Sequence, residues 1–296
     1  MTASERVYRC TPTVTPSGSL CMHEWRIIGC APSIPLVLLH GFTGGGLQWE
    51  RAAALLREPS RVLAPDLPGH GESHPRAGVS GCTFDAAALA IDSALDALGV
   101  EACDLHGYSM GGRLALYFAL TRPARVRRLS LESASAGLAD EDARKDRVRA
   151  DEELARLACE EGIERFVERW EHTPVLASQQ DLSPEDRERL RDLRLRNSVG
   201  GLASSLRGMG TGAQPYLGSR LVELSMPVLV MAGETDDKFS NIARDLARSI
   251  PDSRLALIAG AGHTPHLERP RPWAAALDSF IAEPQRGESC RSSGRL

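Results

Sequence analysis

The pentapeptide Gly107-Tyr-Ser109-Met-Gly111 narrows what this chain can fold into more than any other segment. It fits G-x-S-x-G, a motif that needs a strand turning abruptly into a helix. Both neighbours meet that condition, because Cys103-Asp-Leu-His-Gly107 reads as a short strand and residues 108–120, beginning on small residues, read as a helix. The glycines matter because the serine must occupy a strained backbone conformation with strand and helix packed closely around it.

The same strand-then-helix order recurs on either side. Ile34-Pro-Leu-Val-Leu-Leu39 has the composition and length of a buried strand and ends in His40-Gly-Phe-Thr-Gly-Gly-Gly46; a helix over 47–56 follows. Arg61-Val-Leu-Ala64 is a second short run, ending in the turn Pro65-Asp66-Leu-Pro-Gly-His-Gly-Glu-Ser73. Apolar spacing predicts a helix over 84–98, stopped by Gly99, and a strand over 126–131. From Ala136 the pattern changes to Arg and Glu at helical spacing with no strand signal. It resumes at Met226-Pro-Val-Leu-Val-Met-Ala-Gly233, with a helix over 241–250, a strand over 254–258 and a helix over 272–281. This alternation implies an α/β fold, a mostly parallel sheet with helices on both faces. The expected organisation is a core over 1–135 and 221–282, an inserted helical cap over 136–220, and a disordered tail over 283–296. No internal repeat is present.

Composition removes other classes. At 296 residues, 25% charged and 42% hydrophobic, the chain suits one large soluble core. Lys+Arg 35 is balanced by Asp+Glu 39, which leaves no basic footprint for nucleic acid, and no stretch approaches the roughly 18 apolar residues of a membrane span. The opening MTASERVYRC carries charge and no apolar run of signal-peptide length, so a cytoplasmic location is expected. Seven Cys, at 10, 21, 30, 82, 103, 159 and 290, form no C-x-x-C pair, and their odd number predicts reduced thiols. No His and Cys cluster at ligand spacing is evident, so neither a metal nor an organic cofactor is expected. Against 33 Arg there are two Lys, Lys145 and Lys238, a bias ascribed to nucleotide composition; Lys238 follows Gly233-Glu-Thr-Asp236-Asp237.

A serine hydroxyl reacts near neutral pH only with an imidazole to take its proton and a carboxylate to hold that imidazole. Candidates follow Ser109 in the order the motif requires, Asp236 past one strand end and His263 past the next. Asp237 is the rival carboxylate. His266 is the rival imidazole and reads as structural or pocket-lining. An oxyanion beside Ser109 would find donors in the Met110 N–H, at a helix start, and in the Phe42 N–H of the loop after the first parallel strand. Gly44-Gly-Gly46 lacks the G-K-[ST] ending of a phosphate cradle, and His70 reads as part of a structural turn.

Together these elements resemble the α/β-hydrolase superfamily over about 35–281. Four segments narrow the match: Gly107-Tyr-Ser-Met-Gly-Gly-Arg-Leu-Ala-Leu116, Leu131-Glu-Ser-Ala-Ser-Ala-Gly-Leu138, Leu206-Arg-Gly-Met-Gly-Thr-Gly-Ala-Gln-Pro215 and Gly233-Glu-Thr-Asp-Asp-Lys-Phe239. They resemble the 2-succinyl-6-hydroxy-2,4-cyclohexadiene-1-carboxylate synthases of menaquinone biosynthesis. The resemblance implies a lyase that removes a ring proton from a substrate bearing three carboxylates and expels pyruvate without consuming water. Three carboxylates call for cations, and Arg113 lies one helical turn beyond Ser109 on the same face. The resemblance further implies that Tyr108, Arg147, Trp170, Arg194 and Lys238 line the pocket, with Arg196 competing for the place of Arg194, and Arg144 and Arg149 flanking Arg147.

The competing function is a carboxylic-ester or carbon–carbon bond hydrolase with Ser109 as nucleophile, which would call for an apolar cap. A non-catalytic binding protein would be marked by a broken triad, whereas all three members are present. The partner expected is a small anion. Oligomeric state is not legible.

Overall fold

The computed structural model describes residues 6–27, 34–76 and 78–283. The chain opens with an antiparallel pair, β1 (Arg6–Thr15) and β2 (Gly18–Ile27). Next come β3 (Leu36–Leu39), a 3₁₀ turn leading into α1 (Glu50–Ala53), β4 (Arg61–Pro65), the two-residue β5 (His74–Pro75) and α2 (Phe84–Ala97). The centre is β6 (Cys103–Tyr108), α3 (Met110–Thr121) and β7 (Val126–Glu132). Three helices, α4 (Glu141–Glu171), α5 (Pro184–Leu195) and α6 (Val199–Met209), separate β7 from β8 (Val228–Gly233). α7 (Asp237–Ser249), β9 (Ser253–Ile258), α8 (Pro265–Glu268) and α9 (Pro270–Ala282) complete the described chain.

The sheet order is β1-β2-β4-β3-β6-β7-β8-β9, with β5 beside β2. From β4 to β9 every pairing is parallel, and β2 runs antiparallel to β4. Alternation along each buried strand divides the core between the two faces. Val37, Leu39, Val228 and Val230 pack with Phe84, Ile91, Leu114 and Leu246 of α2, α3 and α7. Leu36, Leu38, Leu229 and Met231 pack with Ala53, Trp273 and Phe280 of α1 and α9. The β7–β8 insertion carries small clusters of its own, including Ala158, Phe166 and Leu202, which reach the sheet domain through Phe42. Non-helical backbone at Gly162 (φ 80°) kinks α4. Among the described residues no helix is long and apolar enough to cross a membrane.

Several expectations need correction. Tyr108 ends β6 and does not begin a helix, since the turn falls on Ser109. The β1–β2 pair is not anticipated from the sequence: β1, at the sheet edge, is rich in Arg and Thr, and β2, between β1 and β4, holds only the short apolar run Leu20-Cys-Met22 before His23 and Glu24. Cys10 and Cys21 are joined as a disulfide, so reduced thiols hold only for Cys82, Cys103 and Cys159 among the described residues. The hairpin register sets Cys10 opposite His23, two residues from Cys21, a proximity that counting cysteines cannot reveal. His23 joins those two cysteines in one group, against the expectation of no such cluster. Cys30, Cys290 and the tail beyond Glu283 lie outside the described residues.

Candidate active site

Ser109 sits at the β6–α3 junction with φ 51° and ψ −111°, a conformation L-residues rarely adopt. Close packing enforces it. A Cβ on Gly107 would lie 2.3 Å from the Gly111 carbonyl oxygen, and one on Gly111 would lie 2.3 Å from that of Leu39. Only glycine at both positions lets β6, β3 and the start of α3 approach this closely.

His263 and Asp236 meet the serine from two neighbouring loops. The Ser109 hydroxyl is 3.2 Å from His263 Nε2, and His263 Nδ1 is 2.9 Å from Asp236 Oδ2. A carboxylate only accepts, so Nδ1 carries the proton and Nε2 is free to accept from the serine. Asp236 Oδ1 also accepts the Phe239 N–H at 3.0 Å, which ties the carboxylate to the start of α7. Burial by itself would raise the Asp236 pKa, but the His263 and Phe239 donors hold it below the usual carboxylate range. The rival Asp237 borders the same cleft without contacting His263.

The second histidine has other work. Glu132, wholly buried at the end of β7, accepts four N–H donors: the His266 amide (3.1 Å), His266 Nδ1 (2.7 Å), His106 Nε2 (3.0 Å) and Trp273 Nε1 (2.9 Å). Gln48 donates to the remaining nitrogen of His266 at 3.0 Å. This network clamps the loop carrying His263 onto the sheet. Sequence spacing gives no sign of it, since Glu132 and His266 are 134 positions apart.

The Phe42 loop is equally constrained. His40 Nδ1 donates to the Gly41 carbonyl at 2.8 Å, and its Nε2 accepts the Leu67 N–H at 2.9 Å. Burial lowers the His40 pKa to about 4, which keeps the ring neutral and able to accept. Asp66 accepts the Gly46 N–H at 2.6 Å, and Asn197, from the insertion, donates to the Thr43 carbonyl at 2.9 Å. The amides of Phe42 and Met110 donate to no acceptor among the described residues. Both residues border the cleft beside Ser109. His70 is buried edge-on to His40 and Phe42.

The cleft has a volume of about 1390 Å³ and opens between Ser109 and the insertion. Tyr108, Arg113, Arg147, Trp170 and Lys238 border it. Arg113 is buried and donates to the Met209 carbonyl at 2.9 Å, but forms no ion pair among the described residues. Burial lowers its pKa to about 10, still far above neutrality. Lys238 is exposed, with its ammonium 5.6 Å from the Phe239 ring centre and no ion-pair partner among the described residues. Arg147 is committed to Asp151 at 2.7 Å. Arg194 is not brought into the cleft. It is buried against Glu171 (3.0 Å) and Gln179 (2.6 Å) in a small recess behind Phe42, Tyr108 and Trp170. Acidic groups, Asp237 and Asp245 among them, also border the cleft, so the site is mixed in charge with its unpaired guanidinium at the serine end.

The alpha/beta hydrolase fold family matches residues 34–270 of this chain. A Bacillus subtilis (strain 168) protein named putative 2-succinyl-6-hydroxy-2,4-cyclohexadiene-1-carboxylate synthase is 42% identical over 248 residues, 83% of this chain and 89% of its own. The synthase of the same name from Serratia proteamaculans (strain 568) is 35% identical, covering 84% and 93%. Among solved structures, MenH from S. aureus superposes with a TM-score of 0.83 at 34% identity, over 88% of this chain and 97% of that one. A thermophilic esterase from Thermogutta terrifontis, with malate bound, gives 0.79 at 28% identity, over 92% and 98%.

Proposed function

The chain belongs to the 2-succinyl-6-hydroxy-2,4-cyclohexadiene-1-carboxylate synthases, within the alpha/beta hydrolase fold family, and from that premise we propose how its cleft works. The substrate is 2-succinyl-5-enolpyruvyl-6-hydroxy-3-cyclohexene-1-carboxylate, and the reaction is elimination of pyruvate in menaquinone biosynthesis. His263 holds the Ser109 proton while the serine oxygen removes the ring proton α to the succinyl ketone. The resulting enolate oxygen is held by the Phe42 and Met110 amides. Collapse of the enolate breaks the carbon–oxygen bond to the leaving group, which departs as pyruvate with the proton returned through His263. No water is consumed, and no metal or organic cofactor is called for.

In this reading residues 136–220 form a cap over a core of 1–135 and 221–282, and the cap closes on a small anion. Arg113 and Lys238 are the cations left to meet carboxylates. Tyr108 and Trp170 supply walls, Arg147 can exchange Asp151 for substrate, and Arg194 acts from behind by fixing Glu171 and Gln179. The enzyme would work in the cytoplasm, without nucleic acid or membrane.

The observation that carries the lyase reading over a hydrolase is Arg113, a buried guanidinium near Ser109 that donates to a carbonyl and forms no direct ion pair, its nearby carboxylate Asp151 being bonded to Arg147. Two guanidiniums sharing one buried carboxylate leave a net positive charge in the cleft, which a carboxylate ligand would offset. Likeness to the Thermogutta esterase keeps the hydrolase as the second reading. The enolpyruvyl tricarboxylate and a simple aryl ester, offered in parallel, separate the two. Pyruvate release with negligible ester cleavage supports the synthase, and the reverse supports the hydrolase.

A further inference from the structure

Ser133 combines three properties that the assignments above leave unused. Its backbone is strained, with φ 48° in a residue that is not glycine. Its side chain is buried, at 1% exposure, and its hydroxyl has no hydrogen-bond partner among the described residues. It borders the cleft. A buried hydroxyl without a partner is uncommon and costs stability, and strain of this kind persists only where the surroundings over-determine it.

The surroundings do so here. The preceding Glu132 is pinned through its side chain by His266, His106 and Trp273. The Glu132 carbonyl accepts the Ser109 N–H at 2.8 Å, and the Ser133 N–H donates to the Met231 carbonyl at 2.9 Å. Residue 133 therefore cannot relax its backbone without disturbing β6, β8 and the His263 loop together. It lies just past the end of a parallel strand, alongside Ser109, where open α/β sheets bind their ligands.

We propose that Ser133 is a substrate-orienting residue, whose hydroxyl, covered in this structure, turns about χ1 to donate to an oxygen carried on the substrate ring, a hydroxyl or a carboxylate. It fixes the ring relative to Ser109 while the arginine and lysine meet the outlying carboxylates. This rests on the synthase reading and deepens it.

Two variants test it, Ser133→Ala and Ser133→Gly. Removing an unpartnered hydroxyl should leave the melting temperature within about 2 °C of wild type or raise it, and glycine should melt above alanine because it also relieves the positive φ. In both, kcat/KM for pyruvate release should fall ~5- to 50-fold, mostly in KM, as expected when a hydrogen bond made in ground and transition states is lost. A purely structural serine gives the opposite pattern. A kcat/KM within about twofold of wild type overturns the proposal, whatever the melting temperature does. Thermal stabilisation by the tricarboxylate is read alongside, independently of turnover. If that compound stabilises wild type without releasing pyruvate, the synthase reading falls, and Ser133 is judged on whether the alanine variant is stabilised less. Equal stabilisation of the two proteins overturns it.

Discussion

Replacing Arg113 by alanine separates an anion-binding cleft from a generic esterase pocket. The guanidinium is buried on the first turn of α3 and bridges to the Met209 carbonyl at the end of α6. At an effective dielectric near 20, a carboxylate about 4 Å away would gain roughly 4 kcal/mol from it. Desolvation of the ligand takes part of that back, and losing one member of a buried charged pair typically costs about 2–5 kcal/mol. The expected loss in kcat/KM for the tricarboxylate is therefore ~30- to 1,000-fold, measured by pyruvate release. Stability responds to two opposed terms. The Met209 carbonyl loses a charged donor, costing about 1–3 kcal/mol, while a desolvated cation that only shares the Asp151 carboxylate with Arg147 disappears. The melting temperature should then move by no more than about 4 °C. Arg113→Lys should recover part of the activity, keeping the charge and losing the planar fork. A folded alanine variant within about threefold of wild type would show that the guanidinium is not a substrate clamp.

Ser109→Ala and His263→Ala should each lose at least ~10³-fold in pyruvate release with unchanged melting, whereas near wild-type turnover by either would remove that residue from the mechanism. Glu132→Gln places an amide donor among four N–H donors in a dry site, and should cost about 2–4 kcal/mol in urea unfolding; a loss below ~0.5 kcal/mol would mean the network is not a clamp. His266→Ala should be destabilised in the same assay while keeping far more activity than His263→Ala. Burial lowers His40 to about 4 and His70 to about 3, so the folded state resists protons that the unfolded chain takes up below about pH 6.5. Their contribution is complete above that pH and is lost as pH falls towards 4. Over that window His70→Gln should show a stability slope shallower than wild type by about 1.4 kcal/mol per pH unit, and identical slopes would contradict the assignment.

Legibility in the sequence follows burial. β3 and β8 lie inside a parallel sheet covered on both faces, so their sequences are continuous apolar runs with little ambiguity, whereas β6, interrupted by Asp104 and His106, is legible through the elbow it leads into. The elbow is legible because its glycines answer to local backbone contacts, and Asp236 and His263 because strand ends in a parallel sheet converge. What escapes is set by long-range pairing. Arg194 reads as a cleft cation until Glu171 and Gln179 are seen to enclose it. Asn197 reaches Thr43 across 154 positions, and Glu132 reaches His266 across 134. Such contacts carry no periodicity. The Cys10–Cys21 disulfide escapes for the same reason, since the hairpin register that brings the two cysteines together leaves no trace in their spacing.

The central claim is that Ser109 takes a proton from carbon and does not attack a carbonyl. Its most direct test is the single-turnover rate of pyruvate release from substrate deuterated at the ring carbon α to the succinyl ketone, compared with the protiated compound. Release from the deuterated substrate should be slower, with the ring proton delivered to solvent and no acyl adduct on the serine. Equal rates together with a trapped Ser109 ester would contradict it and establish the serine as a nucleophile.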